Sequence, residues 1–226
     1  MNEQQLYSNI SLVRERIDVA AKLRAEKTGI LPEVTLVAAT KTVSAETVNA
    51  AVKLGITDVG ENRAQELIAK YDSVSGADWH FIGTLQSNKA KYLVGKVKLI
   101  QSISSVSLVN EIARLCAVRN VTQDVLVEVN VGGETSKTGA EISEVEGIVN
   151  ALTKSDMVNF RGIMAILPIG ADDKLYETAF GIYSRYAGGK VDVLSMGMSG
   201  DYEKAIYYGS NMVRVGSNIF GTRNYR

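Results

Sequence analysis

A lysine closes an otherwise apolar run at Lys41, in LVAATKTV (36–43). Such a lysine is either a strand end whose ammonium reaches water or an amine placed to act as a nucleophile. Near the other end of the chain, GMSGD (197–201) and GSNIFG (216–221) carry glycines beside Ser or Asn where helices should begin. Backbone amides freed in this way can cradle a phosphate without a basic side chain. Arg214, in MVRVG, falls by strand alternation on the same face as Met212 and Gly216. If that face points inward, the guanidinium needs a partner, either a carboxylate such as Glu61 or Glu128 or a heteroatom of a ligand. An amine, a phosphate cradle and a guanidinium together suit a phosphorylated aldehyde: the amine condenses to a Schiff base and the amides hold the phosphate.

Short apolar runs must position these groups. They fall at 34–40, 58–60, 79–83, 99–103, 125–131, 161–167, 191–196 and 212–216, with segments of helical period between them. Val48, Ala51 and Val52 mark one such helix, Ile112, Leu115 and Cys116 a second, and Val145, Ile148, Val149 and Leu152 a third. Runs such as LVAA and RGIMAIL are apolar throughout, as parallel strands covered on both faces are. Eight alternating units predict an α/β fold, a single (β/α)₈ TIM barrel over 34–226. An extra amino-terminal helix within 1–30, with the stripe Leu6, Ile10, Val13, Ile17 and Ala20, is expected to cover the bottom or side of the barrel. No low-complexity linker divides the chain, so one domain over 1–226 is expected, with VGGETSKTGAE (131–141) as its most flexible-looking loop. In a barrel all eight carboxyl ends open on one face, and phosphate loops commonly come after strands seven and eight. Lys41, Asn62, Asn130 and the two glycine segments lie at such ends. On this placement pyridoxal 5′-phosphate (PLP) matches all three features, and a sugar-phosphate aldolase matches the first two.

Composition narrows the alternatives. The 226 residues include 25 basic and 25 acidic ones, so no nucleic-acid footprint or membrane-surface patch is expected. No signal peptide or membrane-spanning run is visible, and one cysteine excludes an internal disulfide framework, which fits a soluble cytoplasmic protein. Cys116 reads as a small buried hydrophobe. With His80 as the only histidine, a zinc site of ordinary composition lacks ligands, and no GxSxG elbow supplies a serine nucleophile.

LVAATKTV, GENRAQE, WHFIGTLQSNK, VEVNVGGETSKTG, RGIMAI, LSMGMSGDYEKAI and VRVGSNIFGTRNY, in this order, resemble the pyridoxal phosphate homeostasis protein family. The resemblance runs from the first strand to the carboxyl terminus and implies the barrel of the alanine racemase N-terminal domain. It implies that Lys41 forms the Schiff base with PLP. Met198 and Ser199 on one side, and Gly216 and Ser217 on the other, would hold the phosphate; Arg214 would meet the pyridine nitrogen, and Asn62 would lie close to the cofactor. His80 and the loop Gln86 to Lys89 are signature positions without an assigned role.

The expected role is a PLP binder that buffers and delivers the cofactor and so influences amino-acid and keto-acid balance, with no catalytic residue. Racemisation in the related enzymes uses a tyrosine from a second domain, and this chain ends at Arg226, a few residues past strand eight. A guanidinium at the pyridine nitrogen also disfavours ring protonation and weakens the ring as an electron sink. The alternatives are a single-domain racemase or lyase of low activity, and an interaction protein that senses PLP. A monomer is expected, with apo forms of PLP-dependent enzymes as candidate partners.

Overall fold

The computed structural model describes residues 1–133 and 138–221. Eight strands close into a barrel in chain order: β1 (Thr35–Ala39), β2 (Asp58–Glu61), β3 (Asp78–Phe81), β4 (Leu99–Ile103), β5 (Gln123–Val129), β6 (Val158–Ala165), β7 (Val193–Met198) and β8 (Met212–Val215). Neighbours pair in parallel, and β8 returns to β1 with Val37 opposite Arg214. Helices α2 (Ala45–Lys53), α3 (Ala64–Tyr71), α4 (Ser87–Ala90), α5 (Val106–Arg119), α6 (Val145–Leu152), α7 (Asp173–Ser184), α8 (Tyr202–Tyr207) and α9 (Ser217–Phe220) alternate with the strands. This is the expected (β/α)₈ barrel. Among the described residues no helix is long and apolar enough to cross a membrane.

The amino-terminal helix α1 (Glu3–Thr28) begins where the Asn2 side chain accepts from the Gln5 amide. It ends at Gly29, whose φ of 74° closes the last turn in the left-handed region open to glycine. Its stripe Leu6, Ile10, Val13, Ile17 and Ala20 is buried, and the helix packs chiefly on α8 and α9, so it covers the side of the barrel. Asn9 fastens it by donating to the Ile219 carbonyl.

β5 and β6 begin two and three residues before their apolar runs. The early rungs are polar and hold one another: Gln123 donates to the Val97 carbonyl, and Asp124 accepts from Asn159 and Arg161. Most apolar side chains pack between strands and helices, Cys116 among them. A second, smaller cluster of Val37, Leu99, Leu126, Met164 and Met212 fills part of the barrel interior. It shares that space with the buried polar side chains of Asp58, His80, Gln101, Glu128, Ser195 and Arg214.

Candidate functional site

The backbone around Lys41 is held from both sides. Before it, the Thr40 hydroxyl donates to Glu61 Oε1 at 2.8 Å, and Lys70 of α3 donates to the same oxygen at 2.6 Å and to the Thr40 carbonyl at 2.9 Å. After it, the Thr42 amide donates to Glu66 Oε2, also on α3, and Thr42 adopts a φ of 64°. A β-branched residue in that region is strained, so the surrounding contacts must hold it there. Lys41 itself is half-buried and makes no hydrogen bond or ion pair to any described residue. It lines a cavity of about 460 Å³ with Thr42, Asn62, Arg63, Glu66, Gly83 and Thr84.

Asn62, directly after β2, reaches this cavity because Gly83 packs against its backbone. A Cβ at Gly83 would lie 2.1 Å from the Asn62 carbonyl oxygen, so only glycine permits the approach.

The loops after β7 and β8 meet each other. The Gly216 amide donates to Ser199 Oγ at 3.1 Å, and Asn218 Nδ2 donates to the Ser199 carbonyl at 2.9 Å. The Met198 amide is taken by Asp201 Oδ1 at 2.7 Å, while Tyr176 holds the other oxygen of that carboxylate. Ser217 and Asn218 open α9, and the first amides of a helix have no carbonyl within it. Gly197, with a φ of 99°, lets β7 turn over α8, where a Cβ would lie 2.6 Å from that of Ala205. Ser199 thus meets Gly216 and Asn218 across one seam, with Ser217 between them in the chain. The Met198 side chain is exposed and its amide already engaged.

Arg214 is buried, with Nη1 donating to Ser195 Oγ at 2.6 Å and Nη2 to the Ala165 carbonyl at 3.0 Å. Among the described residues no carboxylate lies within ion-pair distance of it. Glu61, one carboxylate expected to pair with it, is engaged by Lys70 and Thr40 instead, because β2 carries it to the α3 side. Glu128 acts on Arg214 through charge without contact. Burial pushes the guanidinium down to about 10, opposed by Glu128 and Asp201, so it stays charged at neutral pH. Burial also raises the Glu128 carboxyl, against the opposing hydrogen bond from Thr138 and the charge of Arg214. A buried cation with five N–H donors and two protein acceptors has donors left for a ligand.

Sequence reasoning passed over Ser195, Gln101, Asp58 and Lys70. Ser195, Gln101 and Asp58 are far apart along the chain and are brought round His80 by the barrel, while Lys70 reaches back from α3 to Glu61 and Thr40. His80, left without a role, is buried in the interior with Nε2 on Asp58 and Nδ1 on Gln101. Gln86 and Lys89 line a second cavity beside Asn62. Of the loop at 131–141, residues 134–137 lie outside the described residues, as does 222–226.

A family model described as alanine racemase, N-terminal domain, matches residues 2–224. A protein of Aquifex aeolicus named pyridoxal phosphate homeostasis protein is 40% identical over 200 residues, covering 84% of this chain and 87% of its own. A protein of the same name from Escherichia coli (strain K12) is 34% identical over 229 residues and 96% of either chain. PipY of Synechococcus elongatus, solved with PLP bound, superposes with a TM-score of 0.76 at 28% identity, covering 90% of this chain and all of PipY. Alanine racemase from Bartonella henselae, solved with covalently bound pyridoxal phosphate, shares the fold at a TM-score of 0.74 and 14% identity, over 98% of this chain and 60% of the enzyme. This chain therefore belongs to the alanine racemase N-terminal domain family, among the pyridoxal phosphate homeostasis proteins.

Proposed function

We propose that this chain binds pyridoxal 5′-phosphate through Lys41 and serves the homeostasis of that cofactor. The observation that carries the reading is the Lys41 amine: it stands at the barrel mouth without a polar partner among the described residues, on a backbone pinned at Thr40 and Thr42. An amine so placed is available to the aldehyde of the cofactor, which supplies an electrophilic carbonyl and a conjugated ring. Asn62 lines the same cavity as Lys41, and groups at the ends of β7 and β8 suit the rest of such a ligand. Ser199, Gly216 and Ser217 would hold the phosphate, Arg214 would meet the ring nitrogen with its remaining donors, and Asn62 would line the approach. Met198 would contribute its position beside Ser199 more than its amide.

The same arrangement favours holding over turnover. A charged guanidinium at the ring nitrogen opposes a second positive charge there. Delivery to apo forms of PLP-dependent enzymes is the natural use of a held cofactor, in keeping with the name carried by the relatives.

The purified protein incubated with PLP, reduced with borohydride and digested should carry one modified peptide, containing Lys41. Modification of the Lys41→Ala protein to the same extent would overturn the assignment. A second reading, a racemase or lyase of low activity, gains from Glu128, a buried carboxyl near the mouth that burial makes a weaker acid. Sustained deuterium exchange at the α-carbon of an amino acid, dependent on both Lys41 and Glu128, would establish it over the carrier.

A further inference from the structure

Four buried hydrogen bonds run in one direction through the barrel. Arg214 Nη1 donates to Ser195 Oγ at 2.6 Å, and Ser195 Oγ donates to Gln101 Oε1 at 2.6 Å. Gln101 Nε2 reaches His80 Nδ1 at 3.0 Å, and His80 Nε2 reaches Asp58 Oδ1 at 2.9 Å. The five residues come from β8, β7, β4, β3 and β2, so the chain crosses the interior from the mouth side to the floor. All five side chains are buried.

The chemistry of the ends constrains the donor order. Arg214 can only donate. Asp58 accepts from Lys98 and Thr57 as well as His80, and those bonds, outweighing burial, keep it ionised and able only to accept. His80 then carries a proton on Nε2, and in the neutral tautomer Nδ1 is left to accept from Gln101. Gln101 is oriented by the same logic. Its nitrogen also faces Met212 Sδ at 3.2 Å, and its oxygen takes the Ser195 hydroxyl. With the ring neutral, turning the Gln101 amide over would set its oxygen against the Nδ1 lone pair, two acceptors face to face.

We propose that Ser195, Gln101 and His80 are positioning residues for Arg214, joining the guanidinium at the ligand site to Asp58 at the opposite end of the barrel so that ligand binding is registered at His80. This rests on the reading that Arg214 meets the ligand ring. A guanidinium that hands one N–H down a polarised chain is fixed in its plane, and its remaining donors are aimed at the mouth. A change of acceptor there alters the hydrogen bond to Ser195 and passes down the chain, because such links polarise one another.

His80 is the only histidine, so its ring nitrogens give the only imidazole ¹⁵N signals of the protein. In the unliganded protein they should show a proton on Nε2. Loading with PLP, with occupancy of Lys41 confirmed by borohydride reduction and mass, should displace the Nδ1 resonance. The displacement should be lost in Ser195→Ala and in Gln101→Met, and recovered in Ser195→Thr, which keeps the hydroxyl. An unmoved His80 resonance in the loaded wild type, or an undiminished displacement in Ser195→Ala, would overturn the proposal. If PLP does not attach at Lys41, the binding reading fails and the chain is judged on the unliganded protein. Ser195→Ala and Arg214→Gln must then each shift the His80 Nδ1 signal, and signals identical to wild type in both would sink the chain independently of the ligand.

Discussion

At the floor of the barrel Arg161 binds Asp124 at 2.6 Å and both oxygens of Asp192 at 2.9 Å, and Lys98 bridges Asp58 and Asp78 at 3.0 and 2.7 Å. At the mouth Lys41 has no polar partner among the described residues, and Arg214 meets only a hydroxyl and a carbonyl. Both ends carry cations, but the floor neutralises its own while the mouth leaves room for something else to do so. Paired charges at a strand start make the barrel hold its register. Unpaired ones at a strand end cost stability that the fold recovers elsewhere, as sites of function do.

Substitutions can separate these two behaviours. The largest contrast is expected at Lys41→Ala, which should lose borohydride-stable labelling by PLP completely while its unfolding free energy in urea changes by less than about 0.5 kcal/mol, since no bond is broken. A clear loss of stability would place Lys41 with the structural charges. Lys70→Met lies just behind the mouth yet breaks a buried pair, leaving Glu61 uncompensated, and should cost about 3 kcal/mol in urea unfolding. It should also weaken PLP binding by freeing the backbone at Thr40.

At the floor, Asp58→Asn keeps an acceptor for His80 but loses the anion that Lys98 and Thr57 engage, and should cost about 2 kcal/mol at neutral pH. Burial would raise the Asp58 carboxyl, but hydrogen bonds from His80, Thr57 and Lys98 outweigh it and hold it well below the carboxylate range. Because the folded value lies under the unfolded one, near 3.9, its stabilisation is complete above about pH 4 and is lost as the pH falls further. Wild type should therefore lose stability faster than Asp58→Asn on acidification, in denaturation curves taken between pH 5 and 3. Glu128 at the mouth has the opposite sign. Burial raises its carboxyl in the folded state, so the group costs stability at high pH and the penalty fades as the pH drops. Glu128→Gln should gain less than about 1 kcal/mol at pH 8, with the gain shrinking towards pH 4. A loss instead would mean that Glu128 is as well neutralised as the floor carboxylates.

Much of the mouth was legible in the sequence because barrel topology places strand ends on one face, and the residues in question stand at strand ends. Lys41, Asn62, Ser199 and Gly216 could be found by locating each apolar run and reading the residues just past its carboxyl end. The barrel interior was not legible in this way. His80 and Gln101 look like isolated polar residues within strands, and their partners Asp58 and Ser195 lie 22 and 94 residues away. The starts of β5 and β6 were missed for a related reason: polar rungs such as Asp124 and Asn159 satisfy each other across strands, so apolar runs underestimate the strand.

The double fastening of Thr40 and Thr42 to α3 bears on the entropy of capture. With its flanking backbone already fixed, Lys41 can surrender little more than its own rotor freedom when a ligand is attached, at most about 2 kcal/mol. Most of the ordering was completed when the chain folded, so a small molecule meets an amine whose address is settled in advance and whose release need not wait for a loop to refold.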